Sequence, residues 1–340
     1  MHDSSVPSPD VVLDLISACR RSKVMFAGVE LGVFDALSRS PRTAEELSQE
    51  LQTNETSLGR LLDALVGLQL LTCNASGAYQ NLPSTETYLT SHSPRRMTGY
   101  INYSNTVGWK LWEHLGEAVR EGGHRWKQVY GWDGPLFSHF FKDEHAKREF
   151  LMGMHGFGQI SSPHVVRAFD LGKFQHLVDV GGATGHLVIA ACQAWPHLQG
   201  TVFDLPEAVP LAREIVGASP VSERVSVQGG DFFKDALPSG DLYSLGRILH
   251  DWSDEKSLAL LRRIHEALPE NGAVLVAEKM LNPNRSGPDW ALMQDLNMLV
   301  CTEGRERTLQ EYQQLLETAG FRNVQGQVTD SPLDAVLAFK

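Results

Sequence analysis

The stretch Leu177-Val178-Asp179-Val180-Gly181-Gly182-Ala183-Thr184-Gly185 restricts what this chain can fold into more than any other. An apolar strand runs straight into a glycine-rich turn, and a second apolar strand, Thr201-Val202-Phe203-Asp204, ends on an acid. That layout is a nucleotide pocket at the carboxyl edge of an open parallel sheet. Gly181, Gly182 and Gly185 lack the Cβ that would hold a ligand away from the turn. A dinucleotide fingerprint would need glycine where Ala183 and His186 stand, so a pyrophosphate cofactor is disfavoured.

Asp204 stands where a carboxylate accepts from both ribose hydroxyls, and Asp179 lies in the turn where an ammonium group can be held. A ribose, a cation and no pyrophosphate describe S-adenosylmethionine.

The rest of the chain fits an α/β protein with a second, smaller domain, since 340 residues exceed the usual domain of about 100 to 150. Strands are expected at His176–Val180, Gly200–Asp204, Val225–Gly229, Leu242–Arg247, Ala273–Glu278, Val324–Val328 and Ala335–Phe339, with helical patterns separating the first five. Alternation of that kind gives a parallel sheet covered by helices on both faces. Only Thr329-Asp330-Ser331-Pro332 joins the last two strands, too short for a parallel crossover, so the final strand is expected antiparallel.

Upstream, apolar residues recur at helical spacing from Val11 to Leu37 and predict core helices. Thr43-Ala44-Glu45-Glu46 is a capping box opening the next helix. A further helix is expected from Glu55 to Leu68, then a short hairpin over Leu70–Asn81. Together they make a winged helix. Residues 1–100 carry eight Lys and Arg against eleven Asp and Glu, and the whole chain has a net charge of -11. DNA or an acidic membrane is poorly served by that balance, so a dimerisation role is expected. Helices over Gly108–Glu121 and Glu144–Ala168 bridge to the sheet. The expected division is a winged-helix domain over 1–100, a helical segment over 101–170 and a Rossmann-like domain over 171–340.

Cys19, Cys73, Cys192 and Cys301 form no C-x-x-C pair, which points to reduced thiols and to neither zinc nor a disulfide framework. The start Met1-His2-Asp3-Ser4-Ser5 has no basic segment followed by an apolar run, and no stretch reaches membrane-spanning length, so a soluble, cytoplasmic protein without bound metal is expected.

The carboxyl ends of the strands concentrate polar residues. Arg247-Ile248-Leu249-His250-Asp251-Trp252 follows the fourth strand and Glu278 closes the fifth, so His250 and Glu278 are expected in one crevice. Transfer of an activated methyl to a phenol, only about one part in a thousand ionised at pH 7, calls for a base, and histidine titrates nearest that pH. Glu278 is expected to fix the imidazole tautomer; the alternative for His250 is a structural role capping the helix that starts near Ser253. Gly230-Asp231-Phe232-Phe233 offers a carboxylate and an aromatic face to an adenine, or is a loop acid beside a core phenylalanine. Thr302–Thr308 reads equally as a solvated charge cluster.

Taken together, the glycine turn, Phe203-Asp204-Leu205-Pro206, Gly230-Asp231-Phe232-Phe233, Ile248-Leu249-His250-Asp251-Trp252-Ser253-Asp254 and Glu306-Arg307-Thr308 closely resemble the S-adenosylmethionine-dependent O-methyltransferases of small aromatic hydroxyls. Glu30-Leu31-Gly32-Val33-Phe34-Asp35 and Leu296-Asn297-Met298-Leu299-Val300 resemble the branch that methylates acetylserotonin. The resemblance implies a homodimer, an N-terminal winged-helix dimerisation domain, and His250 as general base flanked by Glu278 and Glu306. It implies cofactor contacts at Gly181, Asp204, Leu205, Asp231, Phe232 and Arg247, the last meeting the methionine carboxylate. Met154, Asp251 and Asn297 match substrate-side positions. Cys301 stands where vertebrate members of that branch carry a substrate-contacting glutamine, and Gly158 where they carry a tryptophan. Other readings stay open: methylation of a nitrogen or carbon, an aromatic or polyketide acceptor, or a winged-helix regulator that senses S-adenosylmethionine.

Overall fold

The computed structural model of the chain describes residues 7–134 and 144–340, so the reading of the first five residues lies outside it. The chain divides after Thr106 into two compact units. The first holds α1 (Asp10–Glu30), α2 (Val33–Leu37), α3 (Ala44–Glu50), α4 (Glu55–Gly67), the antiparallel hairpin β1 (Leu71–Cys73) and β2 (Tyr79–Asn81), α5 (Pro83–Tyr88) and α6 (Thr98–Tyr103). The capping box forms as expected: the Glu46 N–H donates to the Thr43 hydroxyl at 3.3 Å, and the Thr43 N–H donates to the Glu46 carboxylate at 2.8 Å. Leu58, Leu62 and Leu65 turn inward from α4, completing the helices of the winged helix.

One expectation fails here. Val11, Val12, Leu13, Leu15 and Ile16 are 55–72% exposed, so the first half of α1 is not a core helix within this unit. Only its end packs tightly. A Cβ at Gly28 would meet the Phe34 ring at 2.9 Å and Leu65 at 3.3 Å, so the close fit is made by bare backbone there and not by the leading apolar stripe.

The second unit holds α7 (Trp109–Trp112), α8 (Leu115–Glu121), α9 (Trp126–Tyr130), α10 (Glu144–Val165), β3 (His176–Val180), α11 (His186–Ala194), β4 (Gln199–Asp204), α12 (Val209–Gly217), β5 (Val225–Gly229), β6 (Leu242–Gly246), α13 (Asp254–Ala267), β7 (Ala273–Glu278), α14 (Asp289–Cys301), α15 (Leu309–Thr318), β8 (Arg322–Gln327) and β9 (Asp334–Phe339). The single helix expected over 108–121 is two pieces, α7 and α8. Side chains fix α7 and α9 separately on α14, Trp112 donating to the Asn297 side chain at 2.8 Å and Trp126 to the Cys301 carbonyl at 2.7 Å.

The sheet runs β5-β4-β3-β6-β7-β9-β8, with β9 antiparallel to both its neighbours and the other pairs parallel. Strand order reverses between β3 and β6, which opens the crevice where ligands bind in such sheets. Leu187, Val188 and Cys192 of α11 cover one face, while Leu260, Leu261 and Ile264 of α13 and Tyr312 and Leu316 of α15 cover the other. Contrary to expectation, no helix separates β5 from β6. There the Asp235 carboxylate accepts the Asp231 N–H and the Asp231 carboxylate accepts the Phe233 N–H, closing a turn that competes with a helix while Phe232 and Phe233 pack against the core. Among the described residues no helix is long and apolar enough to cross a membrane.

Candidate functional site

At the switch between β3 and β6 lies a cavity of about 550 Å³, within the size range of small-molecule sites. Its floor is the glycine turn. Gly181 and Gly185 take φ of +69° and +79°, the left-handed region, and the Gly185 N–H closes the turn on the Gly182 carbonyl at 2.7 Å. A Cβ at Gly181 would strain that left-handed backbone and stand 2.3 Å from Cδ1 of Ile248, pushing that side chain aside.

Asp204, at the end of β4, accepts the Ala183 N–H on one oxygen and the Leu205 N–H on the other, each at 2.7 Å. A carboxylate has about four acceptor positions, so two remain for the hydroxyls of a ribose. Burial lifts its pKa to about 6 against the pull of those two N–H groups. Asp179 lies beneath the turn and is 2% exposed. One of its oxygens accepts from Ser244 at 2.7 Å, and the other is buried with no partner among the described residues. Burial raises Asp179 to about 7. A Cβ at Gly182 would sit 2.7 Å from that lone oxygen, so the glycine leaves the acceptor its place under the turn. Asp231 is held by Lys234 at 2.8 Å, and Phe232 lies edge-on to Phe233, with ring centroids 4.8 Å apart. These residues fit a ribonucleoside carrying a cationic chain: diol acceptors, an apolar aromatic face and an orphaned buried acceptor.

A second cluster follows β6. Arg247, at φ +59°, lines the cavity with its guanidinium 5.0 Å from the Phe157 ring centroid. The chain then turns through Leu249–Asp251. Both the Ile248 and His250 N–H groups donate to one oxygen of Glu278 at 3.1 Å, and the Tyr312 hydroxyl donates to the other. Glu278 therefore clamps the backbone of the turn and does not hold the imidazole, as the sequence had suggested. That partner is Glu306, 2.7 Å from Nδ1 of His250. The reason is tertiary: the segment Thr302–Thr308 lies on the His250 turn, where a Cβ at Gly304 would be 2.2 Å from the His250 carbonyl oxygen. Arg307, fully buried, locks the segment down by donating to the Leu249 carbonyl at 3.0 Å and to Asp254 at 2.6 Å. The reading of this run as a solvated charge cluster is thereby excluded. Ser253 caps α13, so His250 is not the cap.

Burial lowers the His250 pKa below the ordinary histidine value, with Asp251 and Glu278 opposing that shift. Burial raises Glu306 to about 8 and Asp251 to about 6. Nε2 of His250 lies 3.8 Å from Asp251, which reaches the cavity wall. Phenylalanine in place of Tyr312 would strand the second Glu278 oxygen in the core, a loss of about 1–3 kcal/mol. In a unit of this size that is a fall of roughly 2–12 °C in melting temperature, and an unchanged melting curve would remove Glu278 as the clamp.

Of the residues read from sequence, Gly181, Asp204, Leu205, Asp231, Phe232, Arg247, Asp251 and Met154 come together on the cavity wall. Asp179 and Gly182 stand behind it, and Gly230, where a Cβ would be 2.5 Å from Phe203, has a packing role. His250, Glu306, Asn297 and Cys301 do not line this cavity. Asn297 is engaged instead by Trp112 and by the Cys301 thiol at 3.5 Å, because α7 packs on α14. Phe233, read with Phe232 as an aromatic face, is also on the wall, as are Trp252 and His186, to which the sequence reading gave no role. Each had a signal: Trp252 follows Asp251 in the strand-end motif, and His186 is an imidazole directly after the glycine turn.

The chain matches the family model of an O-methyltransferase domain over residues 112–322 and that of an O-methyltransferase dimerisation domain over residues 13–91. It is 40% identical over 325 residues to acetylserotonin O-methyltransferase of Bos taurus, covering 94% of each chain. Identity to the protein of the same name from Gallus gallus is 38% over 338 residues, covering 98% of this chain and 97% of that one. Among solved structures, human N-acetylserotonin methyltransferase in complex with SAM superposes with a TM-score of 0.94 at 35% identity, covering 100% of this chain and 99% of the other.

Proposed function

The chain belongs to the S-adenosylmethionine-dependent O-methyltransferase family, and from that premise we propose that it methylates the hydroxyl of a small planar aromatic, foremost a hydroxyindole such as N-acetylserotonin, with His250 as base. The observation that carries this reading is the buried His250–Glu306 pair at 2.7 Å, one residue from Asp251 on the wall of the cofactor cavity. The hydroxyindole is supported by the relatives' names and by their near-complete coverage of the chain.

The cofactor is S-adenosylmethionine, which when bound supplies a methyl already activated on a sulfonium sulfur. Asp204 would hold its ribose hydroxyls, Asp231 and Phe232 its adenine, and Arg247 its carboxylate, with the lone Asp179 oxygen beneath the turn. His250 accepts the proton of the hydroxyl on Nε2 as the oxygen attacks. For that, Nδ1 must carry the ring hydrogen and donate it to an ionised Glu306, which then stabilises the imidazolium. Asp251, on the wall, is placed to orient the acceptor. Alignment of the acceptor in the cavity accounts for the remaining rate.

The raised carboxyl pKa of Glu306 fixes the sign of the pH dependence. Below about 8 the pair holds an extra proton, which places a hydrogen on Nε2 and removes the base. kcat/KM is therefore expected to climb with pH across that range. A profile flat between pH 6 and 9 would remove the pair from the rate-determining chemistry.

A homodimer is supported by the dimerisation-domain match and by the exposed apolar half of α1, and the exposed thiols Cys19 and Cys73 suit a reducing cytoplasm. The direct test is incubation with S-adenosylmethionine and a panel of N-acetylserotonin, catechols, flavonoids and hydroxylated polyketides. The expected product is a methyl ether, seen by mass spectrometry as the gain of one methyl and strongest with the indole. Methylation at nitrogen or carbon only, or cofactor binding with no product from any acceptor, would overturn the reading.

A further inference from the structure

Gly158 on α10 and His186, the first residue of α11, are linked by volume on the cavity wall. A Cβ on Gly158 would lie 2.1 Å from Cγ of His186, 2.3 Å from Nδ1 and 2.4 Å from Cδ2. The imidazole thus rests on the glycine, and any side chain at position 158 would displace it. Nδ1 is 2.9 Å from the Ser162 hydroxyl. Ser161 beside it donates to the Phe157 carbonyl at 2.9 Å, whereas Ser162 has no other hydrogen-bond partner for its hydroxyl among the described residues. Donation of the Ser162 proton to Nδ1 gives that hydroxyl hydrogen its acceptor, and in that arrangement the single ring hydrogen of a neutral imidazole stands on Nε2. Burial, with His155 and Arg247 nearby, lowers the His186 pKa to about 3, so the ring is neutral near pH 7. His155 is engaged by Thr184 at 2.8 Å and Gln159 at 3.1 Å. Nε2 of His186 has no protein partner among the described residues, and its ring shares the wall with Arg247. The site thus offers a neutral N–H donor beside a guanidinium, a pair suited to an anionic group.

We propose that His186 is a cofactor-positioning residue whose Nε2–H donates, together with Arg247, to the carboxylate at the methionine end of S-adenosylmethionine, and that position 158 is glycine so that the ring can stand there. This rests on reading the cavity as the cofactor site. It goes beyond that reading by assigning a carboxylate contact to an imidazole of α11 that stands over the bare backbone of Gly158.

The test compares two ligands by calorimetry: S-adenosylhomocysteine, which carries the amino-acid end, and 5′-methylthioadenosine, which lacks it. His186→Ala and His186→Phe are each expected to weaken S-adenosylhomocysteine about tenfold, the loss of one hydrogen bond to a charged group, while methylthioadenosine changes less than about twofold. His186→Gln, which restores an N–H donor without the ring, is expected to recover part of the loss. Equal weakening of both ligands in His186→Gln and His186→Phe would make the ring a packing element and overturn the proposal, as would unchanged S-adenosylhomocysteine affinity. Failure of the unaltered protein to bind either ligand would instead overturn the cofactor reading of the cavity.

Discussion

Replacing His250 with alanine is expected to lower turnover about a thousandfold while S-adenosylhomocysteine affinity stays within about twofold, the size of effect typical of a lost general base. The separation follows from placement. His250 is 4% exposed and contacts Glu306 and Asp251, whereas of the residues proposed to hold the cofactor Asp204 ends β4 and Asp231 and Phe232 follow β5. Removing the imidazole takes away the proposed proton acceptor, a ring whose pKa burial lowers. Because the site is buried, His250→Gln serves as the companion variant: it preserves a polar side chain beside Glu306 but cannot hold a proton. Turnover by mass spectrometry and affinity by calorimetry settle the matter. Equal loss of both quantities in both variants would mean that His250 builds the site and does not act in it.

Glu306→Gln is expected to produce the second largest loss, about a hundredfold or more in turnover, with the pH limb near 8 abolished. A neutral amide at 306 fails in either orientation. If it donates to Nδ1, the ring hydrogen moves to Nε2 and the lone pair faces the wrong side. If it accepts from Nδ1, it lacks the negative charge that stabilises the imidazolium. Glu278→Gln is the contrast, since among the described residues the Glu278 carboxylate accepts only from the Ile248 and His250 N–H groups and the Tyr312 hydroxyl. Its loss should appear mainly in the melting temperature. A Glu306→Gln enzyme within twofold of the parent, beside an inactive but fully stable Glu278→Gln enzyme, would return the orienting role to Glu278.

The two glutamates show where reading the chain alone stopped. Glu278 ends a strand adjacent to the one that leads to His250, so strand order places its carboxylate near the histidine, and it is there. Which atoms it meets depends on the turn: with Ile248 at φ -114° and the backbone folded through Leu249–Asp251, two N–H groups reach Glu278 and the ring points away. Glu306 is 56 residues from His250 and its arrival is governed by Arg307, buried against Leu249 and Asp254, and by the bare backbone of Gly304. Charge and spacing left this run open to a solvated reading, and only the resemblance placed Glu306 beside His250.

Elements set by nearest neighbours were legible in the chain itself. β3, β5 and β7 end where apolar runs meet glycine or an acid, and the Thr43 capping box forms from four consecutive residues. The glycine turn and Asp204 specified the cofactor class because backbone conformation and strand-end position are local properties. Contacts that join distant segments were decided only by the tertiary structure: the hold of Glu278 on the Ile248 and His250 N–H groups, the burial of Arg307 against Leu249 and Asp254, and the imidazole of His186 resting on Gly158. Periodicity reports which face of an element is apolar, but the neighbour that face or side chain meets is chosen by how the whole core closes, and steric fit at single atoms such as a missing Cβ enters only then.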